Sequence, residues 1–139
     1  MADKAFKLEV ITSDRVVLSD RAIVSVVLPG SEGYLGVLAN HAPLVTELKI
    51  GEIDIRRGDG TDDAMAVAGG FVEVLDNSVT VLADSAELRG EIDIERAEQA
   101  LHRAEERLAA RPPELDTERA EIALKRALNR LGVARQRHA

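Results

Sequence analysis

The chain has 139 residues and a formal net charge of −7, with 45% hydrophobic and 31% charged residues, the proportions of a globular chain and not of a disordered one. It has no cysteine and no tryptophan, two phenylalanines and one tyrosine, so disulfides, thiolate metal sites and cysteine nucleophiles are excluded, and any core is built from Val, Ile, Leu and Ala. His41, His102 and His138 stand at no ligand spacing, the polar N-terminus reads as no signal peptide, and no apolar run approaches the ~18 residues of a membrane span, so the chain reads as cytosolic.

Residues 5–84 alternate with period two. Phe6, Leu8 and Val10 point one way, Lys7 and Glu9 the other, and the pattern recurs over 23–28, 51–56, 71–75 and 79–82. Ser13-Asp14, Pro29-Gly30, Gly58-Asp59-Gly60, Gly69-Gly70 and Asp76-Asn77 separate the runs. Short strands at a spacing of about 8–12 residues predict an antiparallel β-sandwich or barrel, and the lack of strand–helix alternation disfavours a βαβ nucleotide fold. The glycine-rich stretch from Gly30 to Gly36 lacks the spacing of a phosphate loop and reads as bends between strands.

From Gly90 the period changes. Ile94, Ala97, Leu101, Ala104 and Leu108 fall on one helical face, and Ala120, Leu124, Ala127, Leu131 and Ala134 on a second. Arg111-Pro112-Pro113 between them cannot continue a helix. The prediction is an α+β chain, with an N-terminal antiparallel β-sandwich over 1–86 and a C-terminal antiparallel two-helix hairpin over 87–139. Asp93 and Asp116 read as N-caps, with Ile92/Ala97 and Leu115/Ala120 as hydrophobic staples. A seam of Leu alternating with Ala buries little apolar area, which makes the hairpin a candidate moving part.

Charge is uneven along the chain. Residues 1–90 hold 15 acids and 8 bases, and residues 91–139 hold 10 of each; beyond Glu121 only Lys125, Arg126, Arg130, Arg135 and Arg137 are charged. An acidic body with a basic end does not suit duplex DNA, which calls for a broad basic face, and points instead to a small anion or an acidic protein surface. Arg96, Arg103 and Arg107 share one side of the first helix, and Arg119, Arg126, Arg130 and Arg137 one side of the second. His41 has no accompanying nucleophile motif, and Asp84 with Glu87 is a weak carboxylate pair near the junction, so catalysis by the isolated chain is not expected.

The ordered segments Ser31-Glu32-Gly33-Tyr34-Leu35-Gly36, His41-Ala42-Pro43-Leu44, Gly69-Gly70-Phe71-Val72-Glu73-Val74 and Val81-Leu82-Ala83-Asp84 resemble the epsilon subunit of bacterial F-type ATP synthase, and the likeness extends through the hairpin to Leu131. The resemblance implies a non-catalytic subunit of the rotor's central stalk, at the cytoplasmic face of the bacterial cell membrane and touching the membrane only through the complex. It implies a sandwich bound to the gamma subunit and the membrane-embedded ring, here through Glu32, Gly33, Tyr34, His41, Ala42 and Pro43. It implies helices that open towards the catalytic beta and alpha subunits and inhibit ATP hydrolysis, with Lys125, Arg126, Arg130, Arg135 and Arg137 as the basic tail. No cofactor is required, and nucleic acid is no partner. Some members bind ATP on the folded hairpin through a motif matched here by Ile92, Asp93, Arg96 and Ala97, with Glu87, Arg103, Arg126 and Arg130 in supporting positions; Leu115, Asp116, Arg119 and Ala120 match it in type only. The Pro112-Pro113 turn departs from the family's pattern. Two alternatives are a free-standing β-sandwich adaptor with a docking hairpin and an enzyme using His41 and Asp84.

Overall fold

The structure is a computed structural model and describes residues 4–135; Arg137 of the basic tail and His138 lie outside the described residues. It divides into two compact units between Arg89 and Gly90.

The first unit contains β1 (Phe6–Ile11), β2 (Val16–Gly30), β3 (Gly33–Val37), β4 (Leu44–Glu47), β5 (Gly51–Arg57), β6 (Asp62–Leu75) and β7 (Ser78–Leu88). The strands run in the order β1-β7-β6-β5-β2-β3, and β1 also pairs with β2, so five strands close on themselves into a flattened sandwich; β4 flanks β6. The expected alternation fills it. Phe6, Leu8, Val10, Ile23, Val26, Leu28, Ile53, Val72, Val74 and Val81 are buried in one core with Met65. One pairing departs from the antiparallel expectation: β1 and β7 are parallel, Lys7 opposite Ser78 and Ile11 opposite Leu82. The cause is topological. β1 forms an antiparallel pair with β2, and the ring then closes on its free edge with the last strand.

Gly69-Gly70 does not end a strand. β6 runs through it, pairing with β5 over Asp62–Val67 and with β4 over Phe71–Val74, and the glycines stand where it passes from one layer to the other. Both have positive φ, +76° and +110°, and a side chain on Gly70 would collide with the Leu82 carbonyl. β3 and β4 are strands that the period-two pattern does not mark; they are short, and two of β3's five residues are glycines. β7 extends to Leu88, opposite Met65, so a domain boundary drawn at 86/87 falls inside a strand.

A 3-10 turn, Arg89–Glu91, spans the boundary, and the second unit continues with α1 (Ile94–Ala110) and α2 (Thr117–Arg135), which pack on each other. Asp93 caps α1, its Oδ1 accepting from the Arg96 amide at 3.1 Å; Asp116 does the same for α2 through the Arg119 amide at 3.1 Å. Arg111 ends α1 in the left-handed conformation, donating its amide to the Arg107 carbonyl, and the two prolines follow. Ala97, Ala104, Ala120, Ala127 and Leu131 are buried on the expected faces, joined by Val133. Ile94, expected on the seam, is 42% exposed, because it is the first residue of α1 and lies at the end of that face.

Candidate functional site

The outer face of the sandwich carries an apolar row. Phe71 on β6 stands opposite Leu82 on β7, Leu82 opposite Ile11 on β1, and Ile11 opposite Val16 on β2. Residues in register across a sheet point to the same side. Phe71, Leu82 and Val16 are 52%, 56% and 54% exposed; further along the same face of β6, past Glu73, lie Leu75 and, opposite Glu73 on β4, Val45, both exposed. Burying each such side chain gains about 1.5–3 kcal/mol, so a contiguous exposed row marks a contact surface more than a scatter of single residues does. Period-two alternation cannot say which side of a strand faces in. The available signal is the run of apolar residues at Phe71, Val72, Val74 and Leu75, which fills both faces of one strand.

Glu32, Gly33, Tyr34, His41, Ala42 and Pro43 fall in two places. Glu32 lies in the β2–β3 turn and Gly33 and Tyr34 begin β3; beside them the Ser31 amide donates to the Glu47 carbonyl at 2.9 Å, at the C-terminal end of β4. Tyr34 projects outward, and its hydroxyl accepts from the Glu52 amide at 3.5 Å. The other three lie in the loop before β4, which Asn77 ties down: its Oδ1 accepts from the Asn40 amide at 2.8 Å, and its Nδ2 donates to the Ala5 carbonyl at 3.1 Å. His41 is half-buried and turned back on its own loop, Nδ1 to the Ala42 carbonyl at 2.7 Å. Asp84 is exposed and Glu87 half-buried three residues further along β7, where the in–out alternation breaks between the buried Ala83 and Ala86.

A half-buried ladder of alternating charge crosses the sandwich towards the junction. Arg57 Nε donates to Asp20 at 2.9 Å, Arg57 Nη2 lies 3.7 Å from Asp63, and Arg89 Nη2 lies 3.9 Å from the same carboxylate. The Ala22 amide and the Arg57 guanidinium hold the Asp20 carboxyl below the usual carboxylate range, and Asp20 in turn raises Arg57. These residues come from β2, β5, β6 and the turn after β7, too far apart in sequence for spacing to reveal them.

Between α1 and α2, next to the turn, lies an open cleft of about 720 Å³ lined by Arg103, Arg107 and Arg119 over a floor that includes Ala104 and Ala120. Of the expected nucleotide residues only Arg103 lines this cleft, and Asp93 is committed to its cap through one oxygen. Glu87 and Arg130 both have partners, and Arg135 is ion-paired with Glu98 across the hairpin. Ile92 and Ala97 are buried, while Arg96, Arg126 and Lys125 are exposed. Among the described residues no cluster of His, Asp or Glu could hold a metal ion, and no helix is long and apolar enough to cross a membrane.

Fold and surfaces together define a two-part chain, a closed sandwich with an apolar outer row followed by a helical hairpin whose second helix is basic beyond Glu121. The comparisons give the family. Residues 5–89 match the beta-sandwich domain of the ATP synthase Delta/Epsilon chain, and residues 91–135 match its long alpha-helix domain. The ATP synthase epsilon chain of Moorella thermoacetica is 52% identical over 109 residues, covering 78% of this chain and 81% of that one. That of Pelotomaculum thermopropionicum is 54% identical over 111 residues, covering 80% and 81%. The chain belongs to the ATP synthase delta/epsilon chain family. A cryo-EM structure of the Euglena gracilis mitochondrial ATP synthase, comprising OSCP, F1 and c-ring, contains a chain that superposes with a TM-score of 0.75 at 28% identity, covering 90% of this chain and 78% of that one. A chain from the central stalk and c-ring of the Tetrahymena thermophila enzyme shares the fold, with a TM-score of 0.60 at 16% identity over 96% of both chains.

Proposed function

We propose that this chain is a non-catalytic rotor subunit of a proton-translocating F-type ATP synthase, held at the cytoplasmic face of the bacterial membrane by the complex. In this reading the sandwich docks on the gamma subunit and on the membrane-embedded ring. The hairpin restrains ATP hydrolysis by engaging the catalytic beta and alpha subunits when it opens. The observation that carries the reading is the row Phe71–Leu82–Ile11–Val16, an apolar surface on a sandwich whose ring of strands is closed. A rotor component needs a stiff body with one firm attachment, and an apolar row on a closed sheet provides both. The tip of the β2–β3 hairpin at Glu32–Tyr34 and the loop at His41–Pro43 are the proposed ring contacts. Lys125, Arg126 and Arg130, with Arg135 once released from Glu98, are the proposed contacts to acidic loops of the catalytic subunits. Breaking the exposed Arg135–Glu98 pair costs about 1 kcal/mol or less, so it does not lock the hairpin.

The test is co-purification with gamma. Phe71→Asp together with Leu82→Asp places two charges in the row without touching the core, and is expected to weaken the complex at least about tenfold. The variant's thermal unfolding should stay close to that of the parent chain. Undiminished recovery with gamma would remove the row from the interface. We further propose that ATP is a regulatory ligand of the folded hairpin, held by Asp93, Arg96, Arg126 and Arg130 with Glu87 and Arg103 in support, and that it favours the folded form by mass action.

A further inference from the structure

β2 changes partners around Val24 and Ser25. β1 pairs with it as far as Ile23, opposite Phe6, and β3 pairs with it from Val26, opposite Val37. Between those two points β2 shifts register against β5, from Ile23 opposite Arg57 to Ser25 opposite Arg56. Such an irregularity re-aims side chains. Val24 is 6% exposed yet stands outside the main core of the sandwich. An open pocket of about 440 Å³ lies here, lined by Lys4, Val24, Ser25, Leu38, Ala39 and Arg56. Lys4 enters from the chain before β1, Leu38 and Ala39 from the chain after β3, and Arg56 from β5. The two charged side chains in the lining are both cations. Arg56 donates to Asp62 on β6 through Nε at 3.2 Å. Among the described residues Lys4 makes no ion pair, and the half-buried Ser25 hydroxyl makes no hydrogen bond.

We infer that this pocket is a binding site for a short-chain aliphatic monocarboxylate. Charge and donors set one end of the ligand. Asp62 engages Arg56 through Nε, and a guanidinium carries further N–H donors on its two terminal nitrogens; Lys4 adds an ammonium and Ser25 a hydroxyl. With Asp62 counted against the two cations, one positive charge is left over, which suits a monoanion and not a ligand with several charges. The other end is set by Val24, Leu38 and Ala39. Leu38 is 64% exposed, and a hydrocarbon stem laid along this wall removes apolar surface of both from water. No aromatic side chain lines the pocket, so nothing there favours a flat ring over a chain. The volume falls in the lower part of the range of small-molecule sites. A merely solvated recess accounts for Lys4 and Arg56, but not for an exposed leucine beside a half-buried hydroxyl that has no partner. The site lies wholly within the sandwich, and it rests neither on the rotor reading nor on the hairpin.

The test is titration of the full chain with hexanoate, followed through the methyl resonances of Val24 and Leu38 by NMR at neutral pH. Saturable shifts of both are expected below about 10 mM. Acetate, which lacks the stem, and hexanol, which lacks the charge, are each expected to bind about tenfold or more weakly. Lys4→Gln with Arg56→Gln removes both cations and is expected to weaken hexanoate binding about tenfold or more, with the thermal unfolding midpoint close to that of the parent chain, since the Arg56–Asp62 pair is exposed. Leu38→Asp, at an exposed position, puts a like charge into the apolar wall and is expected to abolish binding without disturbing the core; it keeps the inference testable where the double variant folds poorly. Added salt is expected to weaken binding to the parent chain more than to the double variant. Absence of a saturable shift at about 10 mM hexanoate, or affinity unchanged in both variants, overturns the inference. Acetate or hexanol binding as tightly as hexanoate overturns it equally, the first by removing the apolar wall from recognition and the second by removing the cations.

Discussion

Asp20 shows what a single carboxylate can contribute when two donors converge on it. Its Oδ1 accepts from the Ala22 amide at 2.8 Å and its Oδ2 from Arg57 at 2.9 Å, and its pKa is lowered in the folded chain. A depressed pKa means stabilisation that is present above the unfolded value of about 3.9 and lost as pH falls through the folded value. Asp20→Asn is therefore expected to lower the unfolding free energy by about 1 kcal/mol near neutral pH, with the difference closing in strong acid. Urea unfolding at about pH 7 and about pH 2 checks this, and an equal gap at both would remove the ionised carboxylate from the account. The Asp20–Arg57 contact was beyond the reach of sequence, because the partners are 37 residues apart and meet only once β2 and β5 are paired. Asp93 and Asp116 were legible for the opposite reason: each bonds an amide three residues on, so the capping pattern lies within one short stretch of chain.

At the scale of elements, the two helices were legible throughout and the strands in part. The 3.6-residue period runs through both helices, and Pro112-Pro113 stops the first without help from tertiary structure. Gly69-Gly70 misleads because glycine pairs usually end strands, whereas here positive φ and the absence of side chains let β6 change layers beside Leu82 without stopping. The hairpin's Leu/Ala seam gives the ATP proposal its consequence. A ligand that binds the folded pair adds RT ln(1 + [L]/Kd) to its stability, about 2.7 kcal/mol at a hundredfold excess over Kd. ATP is expected to slow amide exchange along α1 and α2 of the parent chain, and Asp93→Ala or Arg126→Ala is expected to weaken that protection. Hydrogen-exchange mass spectrometry with and without ATP measures it, and protection that is absent in the parent or identical in both variants would dismiss Asp93 and Arg126 as ligands.

For the whole molecule, the two-part organisation was legible from the change of period, while its boundary was not. The alternation read from the sequence stops at residue 84, yet β7 goes on to pair Glu87 with Ala66 and Leu88 with Met65, and Arg89 approaches Asp63. A fragment ending at residue 89 is therefore expected to fold alone and to be more stable than one ending at residue 86 by about 1–3 kcal/mol, the cost of losing the Leu88 contact and the last ladder bonds. Parallel denaturant titrations of the two fragments decide it, and equal midpoints would show that the end of β7 carries no stability. The outer apolar row belongs to this scale too, since it arises from four strands and exists only after they are in register.

The parallel β1–β7 pair also sets an order of events in time. β1 meets β2 soon after synthesis begins, but its other partner lies about 70 residues further along, so the ring of strands cannot close until β7 has left the ribosome. Until then the core-facing side of β1, with Phe6, Leu8 and Val10, lacks its second neighbour. The helical hairpin, built from contacts between neighbouring segments, faces no comparable wait. The nascent sandwich thus has a vulnerable interval whose length is fixed by the distance between its first and last strands, and that interval ends just as the hairpin begins to emerge.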